Sequence, residues 1–113
     1  MLRETPSFAA ITLVAPGECY VVLEFTAKPG TGPAVLDALR VALPENRNKE
    51  GCESLDVTVN QDDRDNMLLV MRWTSRKHYQ TYRDWREANG DVKRFADATV
   101  DGLSTRFFDV ADA

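Results

Sequence analysis

Cysteine and histidine are scarce in this sequence: its 113 residues include two cysteines, Cys19 and Cys52, and one histidine, His78. So few sulfur and imidazole ligands argue against a structural zinc site, and two thiols make no disulfide framework. A single Cys19–Cys52 bridge stays open, although two inert thiols in a reducing compartment is the better reading. Long apolar runs are absent too. None reaches the roughly 18 residues that a membrane span takes, so no membrane partner is expected. Phe8–Ala15 is short and apolar, but Glu4 lies ahead of it and no small-residue cleavage site follows. That pattern argues against a secretory signal and points to the cytoplasm. Basic residues are no more plentiful than acidic ones. Lys and Arg number 14 against 18 Asp and Glu, a net charge of −4, which disfavours a nucleic-acid binder. The sequence also lacks phosphate-cradling glycine loops, a GxSxG elbow and an HExxH pair, and a nucleophilic triad would rest on His78 alone.

What is present fits one globular domain. Hydrophobic residues make up 43% and charged residues 28%, and the length suffices for one modest core. Residues 1–18 read as an extension and 19–113 as the domain. Within the extension, Phe8–Val14 is either a short strand, added to a sheet edge or reaching a partner, or a partly ordered tail. Tyr20–Ala27 is β-branched and aromatic, stopped by Lys28-Pro29-Gly30, and reads as a central strand covered on both faces apart from Glu24. Pro33 opens a helix carrying Val35, Leu36, Leu39, Val41 and Leu43; Pro44 should end or kink it, or it continues through Glu45–Lys49 to a stop at Gly51. Cys52–Gln61 alternates Leu55, Val57 and Val59 with polar residues, so it is a half-exposed strand. A polar turn at Asp62–Asn66 leads into Met67–Trp73, apolar enough to be covered on both faces. Thr74 or Ser75 caps a helix to about Ala88, stopped by Asn89-Gly90. Asp91 caps a second piece carrying Val92, Phe95, Ala96 and Val100 and ending at Gly102. Leu103–Val110 is the last strand.

The order is βαββαβ, with the second helix in two pieces. This is an α+β, ferredoxin-like arrangement: a four-stranded antiparallel sheet with its helices on one face. The other face would expose apolar residues of the first and third strands. That predicts a homodimer whose sheets pack face to face.

Aromatic residues supply the candidate chemistry. Trp73 ends the third strand, and Tyr79, Tyr82 and Trp85 recur every three residues on the next helix, near Arg72, Arg83 and Arg86. Tyrosine and tryptophan combine an apolar body with a polar tip. The stripe is therefore either core or the wall of a pocket for a flat aromatic molecule, with Trp73, Tyr79 and Tyr82 at the chemistry and Trp85 and Arg86 binding. Glu24 is either a pocket carboxylate that binds substrate and serves as a backup base, or a residue at the dimer edge.

Lys28-Pro29-Gly30, Gly51-Cys52, Met71-Arg72-Trp73-Thr74-Ser75, Tyr79 and Tyr82 give the chain a resemblance to the antibiotic biosynthesis monooxygenase family. The resemblance covers roughly residues 20–110. It implies a dimeric α+β barrel and a pocket between sheet and helices. The activity it implies is cofactor-free oxidation of a phenol, quinol or polycyclic aromatic by dioxygen. Trp73 and Tyr79 match pocket residues of the oxygenases. Tyr82 stands where heme-degrading members have an iron-binding histidine, and the first strand lacks their asparagine, so the resemblance argues against heme. A non-catalytic binding or accessory dimer, or an isomerase or cyclase, is the alternative.

Overall fold

The computed structural model describes residues 18–112. The extension's candidate strand at Phe8–Val14 lies outside the described residues. Strands β1 (Cys19–Ala27), β2 (Cys52–Val59), β3 (Asn66–Trp73) and β4 (Thr99–Asp109) form one sheet in the order β2-β3-β1-β4. All three pairings are antiparallel. Helix α1 (Gly32–Arg47) joins β1 to β2, and α2 (Arg76–Ala88) and α3 (Asp91–Asp97) join β3 to β4. This is the ferredoxin-like α+β fold. No helix among the described residues is long and apolar enough to cross a membrane.

The sheet has one dry face. Cys19, Val21, Leu23, Phe25 and Ala27 of β1 are buried, as are Met67, Leu69, Met71 and Trp73 of β3. They cluster with Leu39 and Leu43 of α1 and Tyr79 of α2, and Phe95 of α3 packs against them. The intervening residues, Tyr20, Val22 and Glu24 on β1 and Leu68, Val70 and Arg72 on β3, are half-buried on the opposite face. Among the described residues, covering of both strands on both faces is therefore not seen: side chains alternate, and the helices shield one parity only.

Several boundaries differ from expectation. At Pro44 the structure takes the continuation rather than the stop: α1 runs three residues beyond it, to Arg47. A proline this near a helix end leaves the last turn intact when the end is anchored, and Arg47 Nη2 donates to the Leu55 carbonyl at 3.2 Å. Val41 points away from the core and is 84% exposed. Val100 belongs to β4, which starts at Thr99, ahead of Leu103. Gly102 does not end a helix; it sits in a bulge. Glu24 pairs with Ser104 and Thr26 with Val100, so two steps along β1 face four along β4. Asp101 and Gly102 absorb the excess at φ 63° and 78°. Both cysteines are free, and burial pushes each thiol up from its ordinary pKa.

The start of α1 is capped from a distance. Its own N-cap, Thr31, makes no side-chain capping bond. Instead Asp65, on the β2–β3 turn, accepts from Gly30 N at 2.9 Å and Gly32 N at 2.8 Å. The carboxylate satisfies amides at the positive end of the helix. Asp65→Ala should cost about 1–2 kcal/mol of stability, read by urea unfolding. Asp65→Asn, which can still accept from one amide, should lose less.

Candidate functional site

A cavity of about 410 Å³ lies between the dry face of the sheet and the three helices. Leu23, Leu69 and Met71 form its floor, and Leu39, Leu43 and Phe95 form much of its sides. Its polar groups come mainly from one face of α2: Tyr79, Tyr82, Arg83 and Arg86. A helix turns about 100° per residue, so positions spaced 3, 4 and 7 apart share a face. Ser75 starts α2 by accepting from His78 N at 3.1 Å, which sets the helix in register against the end of β3.

The four polar residues form two interlocked pairs. Arg83 Nη1 donates to the Tyr79 hydroxyl at 3.0 Å and to Thr105 Oγ1 at 3.2 Å. Arg86 Nε donates to the Tyr82 hydroxyl at 3.1 Å. Each phenol oxygen thus accepts from an arginine and keeps its own proton to donate. Arg86 is bound on all sides: Nη1 donates to Asp91 Oδ2 of α3 at 2.9 Å, and Nη2 donates to Asn46 Oδ1 of α1. One guanidinium therefore ties three helices together.

Burial pushes the Tyr82 hydroxyl above its ordinary value, against the opposing pull of Arg86. Tyr82 is consequently a neutral donor near pH 7 rather than a base. Arg86 holds the Asp91 carboxyl below its usual range. Burial opposes the charge of Arg86, but its bonds to Asp91 and Tyr82 outweigh that, and its pKa is raised.

Trp73 stands behind this wall and is not part of it. It is 0% exposed, stacked on Tyr82 at 5.3 Å between ring centroids and edge-on to Tyr79 at 5.7 Å. It fixes both tyrosine rings from below, and its indole Nε1 is buried without a hydrogen-bond partner. Trp85 faces an outer groove with Lys49, His78 and Tyr82, and the Lys49 ammonium lies 3.5 Å over its ring. His78 Nδ1 is 2.7 Å from Ser75 Oγ. Glu24 lies on the opposite face of the sheet, accepting from Asn66 Nδ2 at 3.2 Å and Arg106 Nη2 at 3.4 Å. Strand parity puts it out of reach of the cavity, whose floor is its neighbour Leu23. The structure thus brings Tyr79, Tyr82 and Arg86 together and leaves Trp73, Trp85 and Glu24 off the wall. Arg83, Asn46 and Asp91 were missed as site residues. Interleaved Tyr-to-Arg steps of four, 79 to 83 and 82 to 86, were the available signal for Arg83.

The raised value of Tyr82 has a measurable sign. Its folded-state pKa lies above the unfolded 10.0, so the stability it contributes is complete below pH 10 and lost as pH climbs through the folded value. Denaturation midpoints compared with Tyr82→Phe should therefore converge or cross above about pH 10. The difference in tyrosinate absorbance between the two proteins should place the missing ionisation above 10.0.

The family profile described as Antibiotic biosynthesis monooxygenase matches residues 19–96. Rv0793 from Mycobacterium tuberculosis superposes with a TM-score of 0.74 at 18% identity, covering 85% of this chain and 97% of that one. A conserved protein from Methanosarcina mazei Go1 gives 0.74 at 10% identity, over 86% and 96%. An antibiotic biosynthesis monooxygenase of known structure gives 0.71 at 17% identity, over 81% and 97%. At these identities the likeness is one of fold. No curated protein matches the sequence.

Proposed function

The chain belongs to the antibiotic biosynthesis monooxygenase family, and from that membership we propose that its cavity binds a flat, oxygen-bearing aromatic and oxidises it with dioxygen. One observation carries this reading: two tyrosine hydroxyls, each backed by an arginine, face one largely apolar cavity of about 410 Å³. That volume falls in the range of small-molecule sites, roughly 300–1,000 Å³.

The chemistry follows from the donors. A phenol, quinol or anthrone that loses a proton becomes electron-rich enough to reduce dioxygen. Tyr79 and Tyr82 donate to the developing oxyanion, and the arginines behind them strengthen both donors. The titratable carboxylate on the wall, Asp91, is held low by Arg86 and accepts protons poorly. Ionisation is therefore driven by stabilising the anion, and the proton leaves to solvent. For an anthrone-type methylene, the carbon loses two hydrogens and gains one oxygen as a carbonyl. The second oxygen atom leaves as water, so substrate supplies all the electrons and no cofactor is used. The donor set does not suit heme. A tyrosinate ligand would require Tyr82 to lose the proton that burial makes it keep, and His78 lines the outer groove. The alternative of a purely structural stripe is disfavoured because side-chain guanidinium groups, rather than backbone, engage both hydroxyls.

Oxygen uptake with a panel of quinols and anthrones should exceed the spontaneous rate, and product mass should rise by one oxygen less two hydrogens for a methylene. An unchanged mass would mark an isomerase, and no uptake across the panel would overturn the oxygenase. Tyr79→Phe and Tyr82→Phe should each lower kcat by about tenfold to a hundredfold.

The same reading includes a homodimer through the open sheet face. Val22, Leu68 and Val70 lie there together, and Phe108 beside Tyr20 is 47% exposed. Sedimentation should give twice the chain mass, and Leu68→Asp should shift it to the single chain while circular dichroism stays unchanged. A single chain in the wild type would remove this part of the proposal.

A further inference from the structure

We propose that the ligand of this cavity carries one negative charge, as an aromatic carboxylate does, and that Arg83 selects it. The inference rests on the small-molecule reading of the cavity and narrows it to a substrate class.

The charges on the cavity wall do not balance. Among the described residues, the wall holds Arg83, Arg86 and Arg94 but only one carboxylate, Asp91. Asp91 is already committed twice, to Arg86 through Oδ2 and to Arg94 through Oδ1. Arg86 has its remaining edges on Tyr82 and Asn46, and Glu45, which is off the cavity wall, lies 3.6 Å from its Nη2. Arg83 is different. Its hydrogen bonds go to two neutral hydroxyls, Tyr79 and Thr105, both through Nη1. Its Nε is buried and makes no hydrogen bond. The nearest carboxylate, Glu87, is 3.5 Å from Nε, half exposed, and not on the cavity wall.

A guanidinium has five N–H donors in a fixed fork and stays charged at any physiological pH. Arg83 is only 21% exposed, so water screens it weakly and solvates it incompletely. An anion in the cavity would give Arg83 a counter-charge on the wall itself, less screened than the exposed Glu87, and take up idle donors in the geometry that suits a carboxylate. The remaining walls, Leu23, Leu39, Leu69, Met71 and Phe95, suit an aromatic body. The Tyr79 hydroxyl, which accepts from Arg83, keeps its own proton free to donate. Charge, idle donors and apolar body together define a ligand that is greasy at one end and anionic at the other.

Naphthalene carboxylate and naphthalene carboxamide match in shape and differ in charge, so their dissociation constants isolate this term. The wild-type chain should bind the carboxylate about tenfold or more tightly than the amide, and added salt should narrow the gap. Arg83→Gln should erase the preference, lowering affinity for the carboxylate far more than for the amide, because the charge-assisted contact is lost. Arg83→Lys, which keeps the charge but not the fork, should retain part of it. Glu87→Gln, which removes the competing carboxylate, should widen it. Equal binding of the two probes by the wild type would overturn the inference and leave the aromatic site standing. So would a preference that survives in Arg83→Gln. Binding of neither probe would bring down the small-molecule reading and this inference with it.

Discussion

Three helices can roof a cavity only if something holds them together without filling it, and here that is the Arg86 guanidinium. It reaches Asn46 on α1, Tyr82 on α2 and Asp91 on α3. Apolar packing cannot do this job at the cavity rim, because side chains that met there would close the space. A polar tie can: charge-assisted hydrogen bonds are directional, and each contributes about 1.5–3 kcal/mol when well formed. The tie also costs something, since a half-buried cation needs its partners to remain in place. The three partners therefore depend on one another. Asp91 balances the charge of Arg86, Arg86 keeps Asp91 ionised, and Tyr82 accepts from the same guanidinium while keeping its own proton.

Beneath the roof, the site rests on the fully buried Trp73. Strand β3 delivers it at the point where the chain turns into α2, and its ring fixes Tyr79 and Tyr82 at once. Two rings held by a third lose little further freedom when a ligand arrives, which favours recognition by rigid donors. A large side chain placed behind the wall thus sets the shape of the wall without touching what binds there.

The fold was legible in the sequence because the punctuation was strong. Lys28-Pro29-Gly30, the polar turn before Met67, Ser75 and Asn89-Gly90 each marked a real boundary. What could not be read was which face of β1 and β3 the helices cover. Both parities are apolar there, so Val22 and Leu23 looked alike, and nothing told which face Glu24 shared, until partners were known. The helix stripe failed for a geometric reason. Steps of three turn a helix by about 300°, so from Tyr79 to Trp85 the direction drifts by roughly 120° and leaves the face. Arg83 and Arg86 stay on it; from sequence Arg86 belongs to the pocket, but Arg83 is only a neighbour of the rings. Gly102 was misread because a glycine that stops a helix and one that relieves a bulge look the same in one dimension.

That bulge bears on how the molecule avoids growing. Strand β4 is an outer strand of the sheet, and a long straight rim of free amides and carbonyls invites a foreign strand to dock and accretion to begin. At Asp101 and Gly102 the rim is broken by two residues in left-handed conformations, one of them charged. An incoming strand would lose its pairing there, so the rim is interrupted at the place where α3 hands over to the sheet.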